Sequence, residues 1–195
     1  DSIEQLTNGS TRVVMSICDD VISRSLSDQR FRLCLSVVVG TELSLALEMT
    51  NMSSSICTIT AALHSYFNVA DISKVDITGL EGVGYIDQLS DRKSLIQSGS
   101  VRFDGELDRI YYPAHTEELI HDSKLRRKIR LRKTGSQSTV VWNPWISKAD
   151  SMDDFARGGY RHMVCVETAN VAGDIIQLAP NVPHVLGVGI SVEQS

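Results

Sequence analysis

The chain has 195 residues, 42% of them hydrophobic and 22% charged, with a formal net charge of −5 and a mean hydropathy of −0.05. That apolar content and small net charge exclude a disordered tail, and 13 Gly and 4 Pro without a period exclude a collagen-like chain. A chain of this length buries roughly two-thirds to three-quarters of its unfolded surface, so a single globular domain over residues 1–195 is expected.

The pattern along the chain has period two, the mark of strands with one apolar and one polar face. Ile3–Leu6 and the run Val13, Met15, Ile17 flank Asn8-Gly9, a dipeptide that fits a two-residue type I′ hairpin with φ > 0 at both positions. Asp19–Ser27 has room for one or two helical turns. Phe31, Leu33, Leu35 and Val37 alternate with Arg32, Cys34 and Ser36, and Leu43 to Met49 repeats the pattern. Ser55–Ala62, rich in Thr and Ile, continues the series. Further strands are expected at Lys74–Thr78, Arg109–Tyr112, Arg126–Arg132, Thr139–Trp142, Met163–Glu167 and Val185–Val192, with one helical turn at Ser151–Phe155. Gly79 to Gly84 lacks a following helix or a GK[ST] triplet and reads as a turn, not a phosphate loop. Many short strands and few helices predict an all-β domain, an antiparallel β-sandwich or barrel.

Several function classes fall away. No apolar run is long enough to span a bilayer. Asp1–Ser10 has neither a basic nor an apolar signal region, and the first residue is Asp, so a processed, trimmed or partial chain is expected. Cys18, Cys34, Cys57 and Cys165 form no CxxC. Cys18, Cys34 and Cys165 sit in apolar segments and read as buried free thiols in a reducing, cytoplasmic compartment. The two glycosylation sequons at Asn8 and Asn51 are then chance matches. His64, His115, His121, His162 and His184 show no HxH or HExxH spacing, so no metal is expected. Mild acidity speaks against nucleic acid. The run Lys124–Lys133 holds seven of the nineteen Lys and Arg. It reads as an amphipathic strand whose basic outer face, or edge, resists strand-to-strand aggregation. The alternative, an anion or nucleic-acid patch, lacks interleaved aromatics for base stacking.

Two stretches remain. His64 closes a Thr/Ile-rich strand and precedes Tyr66-Phe67. Glu167 closes Met163–Val166, a run apolar on both faces, where an unpaired carboxylate is unfavourable. Alone, His64 reads as a structural histidine and Glu167 as a strand-end residue facing water. Together they could form an acid/base pair. Trp142 and Trp145 read as core or edge packing, or as stacking platforms for a sugar.

Ala62–Asn68 (ALHSYFN), Ile77–Leu80 with Tyr85–Asp87, Leu107–Tyr111 (LDRIY), Val141–Pro144 (VWNP) and Val164–Ala169 (VCVETA) together resemble the aldose 1-epimerase (mutarotase) superfamily. The likeness is greatest to its hexose-6-phosphate branch, glucose-6-phosphate 1-epimerase, and runs from about Thr11 to Val192. It implies an antiparallel β-sandwich of the galactose mutarotase-like type, here without the family's N-terminal third. It implies His64 as the acid that protonates the ring oxygen and Glu167 as the base at the anomeric hydroxyl. Asp108 would hydrogen-bond sugar hydroxyls. The implied ligand is a hexose 6-phosphate, with no cofactor, no metal and no nucleic-acid partner. Histidine and glutamate, with reference pKa values of about 6.5 and 4.3, suit these roles near neutral pH. The alternative is a sugar-phosphate-binding chain with impaired catalysis, a pseudoenzyme or fragment.

Overall fold

The computed structural model describes residues 1–19, 25, 29–153 and 155–194. Among these are eighteen strands and one α-helix. A nine-stranded sheet runs β1 (Ser2–Gln5), β2 (Thr11–Cys18), β3 (Phe31–Val39), β4 (Leu43–Asn51), β18 (Pro183–Gln194), β14 (Arg127–Thr134), β13 (Glu117–Asp122), β8 (Val75–Thr78), β11 (Val101–Arg102). A seven-stranded sheet runs β10 (Lys93–Ile96), β9 (Gly84–Asp87), β12 (Leu107–Tyr111), β15 (Ser138–Asn143), β16 (Met163–Asn170), β6 (Ala61–Leu63), with β7 (Tyr66–Asn68) also paired to β16. β5 (Cys57–Ile59) and β17 (Ile176–Leu178) form a small third sheet. Every pairing of these strands is antiparallel, as two-period patterning predicts. No helix among the described residues is long and apolar enough to cross a membrane.

The two large sheets pack face to face. Ile77, Ile120 and Ile129 lie opposite one another across three strands of the larger sheet and are almost fully buried. Tyr111, Val141, Val164 and Val166 of the smaller sheet complete the same core. A second cluster of Met49, Cys57, Leu178 and Leu186 lies under the small third sheet. The core thins toward the N-terminal edge. Leu186, Leu47, Leu35 and Met15 occupy one cross-strand row, yet Leu186 is buried and Met15 is exposed.

The period-two elements reappear as strands, with some differences. Ser55–Ala62 divides into β5 and β6 of separate sheets. The Asn8-Gly9 hairpin forms, but only Gly9 has positive φ, and the Asn8 side chain instead accepts from the Ser10 amide at 3.1 Å. A helix α1 (Trp145–Asp150) precedes the turn expected at Ser151–Phe155, a stretch that lies partly outside the described residues; the Asn143 carboxamide accepts from the Trp145 amide and turns the chain into it. Asp19–Ser27 lies mostly outside the described residues. Cys57 and Cys165 are buried, but Cys18 is exposed and Cys34 half-buried, since β2 and β3 lie where the core thins.

The basic run is an outer face and not an edge, because β14 is hydrogen-bonded on both sides, to β13 and β18. Two of its outward cations have acidic partners. Arg130 pairs with Glu117 and Glu193, and Arg132 with Glu117. Lys133 continues the inward series of Ile129 and Leu131, and its side chain is fully buried. It pairs with the equally buried Glu118 at 2.9 Å and donates to Thr139 Oγ1 and, at 3.4 Å, to the Ser138 carbonyl. Thr139 in turn donates to Glu118 Oε1 at 2.7 Å, so the pair ties the larger sheet to β15 of the smaller. Burial lowers the lysine pKa, and Glu118 opposes that shift. Breaking such a pair strands a buried charge at a cost of about 3–5 kcal/mol, whereas replacing both partners by apolar groups is often neutral. Lys133→Met or Glu118→Leu alone should therefore lower the denaturation midpoint sharply. The double variant should recover most of the loss in urea unfolding.

Candidate active site

The site lies on the face of the seven-stranded sheet that points away from the core. On β16 the alternation sends Val164 and Val166 inward and Met163, Cys165 and Glu167 to this outer face. Register then assembles the neighbours. Asp108, Trp142, Cys165 and Tyr66 lie opposite one another across β12, β15, β16 and β7, so their side chains share one face. Glu167 stands two residues along β16 from Cys165. His64, just after β6, reaches it from the adjoining strand.

His64 Nδ1 and Glu167 Oε1 are 3.2 Å apart, with the histidine side chain half exposed and the glutamate almost wholly buried. The His64 ring stacks on Tyr66 with centroids 4.7 Å apart and planes 4° from parallel. Trp142 stands edge-on to both rings, at 6.1 and 6.3 Å. Burial, reinforced by the negative charge of Asp108, pushes the Glu167 pKa up to about 7. Asp108 is itself half-buried, and burial together with Glu106 and Asp87 raises its pKa. Burial and the Glu167 charge likewise raise the Cys165 thiol.

The three residues singled out in the sequence therefore converge. His64 and Glu167 touch, and Asp108 acts on Glu167 through space. The contact is closer than a cleft spanned by a sugar would require: the two functional groups stand side by side. Of the tryptophans, Trp142 belongs to the site, whereas Trp145 packs on Tyr160 with centroids 5.3 Å apart. Asn143 of the VWNP segment is buried and donates to the Tyr160 and Met163 carbonyls, which fixes the end of β15 and the start of β16. The sequence reading named Tyr66 only as a neighbour of His64 and Cys165 only as a buried thiol, and assigned neither to the site. Both were visible in the two-residue alternation, Cys165 as the position before Glu167 on the same face.

The aldose 1-epimerase family model matches residues 19–189. The chain belongs to this family. A protein of Cenchrus ciliaris named "Putative glucose-6-phosphate 1-epimerase" is 36% identical over 144 residues, 72% of this chain and 44% of its own length. An Escherichia coli K12 protein of the same name is 40% identical over 111 residues, 56% of this chain and 37% of its own. The crystal structure of a "putative mutarotase" of Salmonella typhimurium superimposes with a TM-score of 0.91 at 30% identity, covering 100% of this chain and 64% of that one. The chain thus spans less than half the length of these curated relatives. The likeness to mutarotase structures agrees with the β-sandwich expected from the strand pattern.

The raised carboxylate has a measurable consequence for folding. Below pH 4.5, the ordinary value, Glu167 is protonated in both the folded and the unfolded chain. Between 4.5 and about 7 only the unfolded chain releases the proton, so stability falls as pH rises through this window. Glu167→Gln should remove that part of the slope. The variant's melting temperature should gain on the wild type by a few degrees at the upper end of the window, read by circular dichroism.

Proposed function

We propose that this chain carries the acid/base face of an aldose 1-epimerase that interconverts the α and β anomers of a hexose 6-phosphate. The observation that carries the proposal is the buried Glu167 carboxylate, tuned to about 7, in contact with the His64 imidazole. A base with a pKa near the working pH combines adequate ionisation with proton affinity. The phosphate rests on the name of the Cenchrus and Escherichia relatives.

In this reading the substrate's anomeric hydroxyl displaces the His64–Glu167 contact. Glu167 takes the hydroxyl proton while protonated His64 gives one to the ring oxygen. The C1–O5 bond breaks and leaves an aldehyde. After rotation about C1–C2, the ring oxygen attacks the other face of C1. His64 recovers its proton from that oxygen and Glu167 returns its own to O1, so both residues end as they began. Asp108 orients sugar hydroxyls, and Trp142 offers an apolar ring face. The free thiols fit a reducing, cytoplasmic setting.

The second reading, a sugar-phosphate binder without catalysis, is favoured by one observation: the 3.2 Å contact closes the gap that a pyranose would need to occupy. Saturation-transfer NMR on glucose 6-phosphate separates the two. Catalysis predicts anomer exchange above background that falls by roughly 10²- to 10⁴-fold in Glu167→Gln or His64→Ala. It also predicts a bell-shaped pH profile in the wild type, because the step needs Glu167 ionised and His64 protonated at once, with the acid limb set by Glu167 at about 7. Asp108→Asn should act mainly by raising KM. Saturable binding with no exchange supports the binder, and equal exchange in wild type and Glu167→Gln removes the assigned base.

A further inference from the structure

The fold places a third donor beside the acid/base pair. One ligand atom each from His64, Cys165 and Glu167 lie within 4.8 Å of one another, although the three residues have no metal-type spacing in the sequence. A tetrahedral zinc site, with bonds of about 2.0 Å to nitrogen and oxygen and about 2.3 Å to sulfur, has ligand–ligand edges of about 3.3–3.5 Å. The 3.2 Å between His64 Nδ1 and Glu167 Oε1 already matches one such edge. The sulfur lies within 4.8 Å of both other donors, so rotation of the Cys165 side chain on a fixed strand is the movement that completes a three-donor face.

We propose that His64, Cys165 and Glu167 form a binding site for a thiophilic divalent cation of the zinc and cadmium class, and that the filled site is catalytically silent. The donor set of one imidazole, one thiolate and one carboxylate suits borderline-soft ions and disfavours magnesium and calcium. The ion would neutralise a carboxylate that burial otherwise leaves poorly solvated, and Asp108 adds a second negative charge close by. His64 is half exposed, so its movement opens the way in. On binding, the Cys165 proton and any proton held by the pair pass to buffer, and no electron changes hands. The ion then holds the lone pairs that His64 and Glu167 need for proton transfer, with a fourth position left to water. The inhibition rests on the function proposed above; the binding does not.

Cadmium chloride titrated into the whole chain tests this. Cys18→Ser and Cys34→Ser are included to remove the two more accessible thiols. One equivalent should bind by calorimetry, with a thiolate-to-cadmium charge-transfer band in the ultraviolet. Cys165→Ala should abolish the band, and both Cys165→Ala and the surface variant His64→Ala should weaken binding by roughly tenfold or more. Unchanged affinity in either variant, or binding without the band, overturns the site. If the chain exchanges anomers, bound cadmium should stop exchange and a chelator should restore it. Exchange that persists with cadmium bound overturns the inhibition. A chain that binds cadmium as described but shows no exchange contradicts the proposed function and leaves the cation site standing.

Discussion

A carboxylate on a strand buried on both faces, with an imidazole as its contact, is the constraint around which the outer face of the smaller sheet is organised. β16 is central: β15 flanks it on one side and β6 and β7 on the other. Every residue of the strand is buried. Glu167 therefore cannot reach bulk water by a simple change of rotamer. Its proton affinity rises because the ionised form loses solvation, and the nearby Asp108 charge adds to the effect. The same burial that makes the residue expensive to ionise places its pKa where a base for neutral-pH chemistry is most useful.

The rest of the molecule holds that strand in place. The inward side chains of β16 enter the main core, so the outward ones have little freedom to tilt. Asn143 fixes the connection from β15 into β16: its carboxamide accepts from the Trp145 amide at one end and donates to the Tyr160 and Met163 carbonyls at the other. The buried Lys133–Glu118 pair joins the larger sheet to the strand beside β16. Both are polar devices in an apolar interior. Each costs desolvation, and each fixes geometry with a directionality that packing alone does not provide.

The basic run illustrates how one strand serves two environments. Read outward, Arg130 and Arg132 lie among Glu117 and Glu193 on a cross-strand charged surface. Read inward, Ile129 and Leu131 enter the core and Lys133 follows them. Composition alone counts seven cations in one place. The register decides which of them meet solvent and which meets a buried glutamate.

Period-two alternation was sufficient to read an all-β antiparallel chain, because a pleated strand sends neighbouring side chains to opposite faces wherever it occurs. The segments ALHSYFN and VCVETA were likewise sufficient to mark His64 and Glu167 as residues in unusual surroundings. Short strands such as Gly84–Asp87 and Glu117–Asp122 were not legible, since four to six residues with mixed polarity carry too little pattern. Nor was the partner of Lys133: alternation with Ile129 and Leu131 gives it the inward face, but Glu118 comes from another strand. Above all, the sequence could not show that His64, Cys165 and Glu167 come within a few ångströms. Strand order and register are long-range choices made by the packing of whole sheets, and local patterning says which face a residue occupies but not which neighbour it meets there.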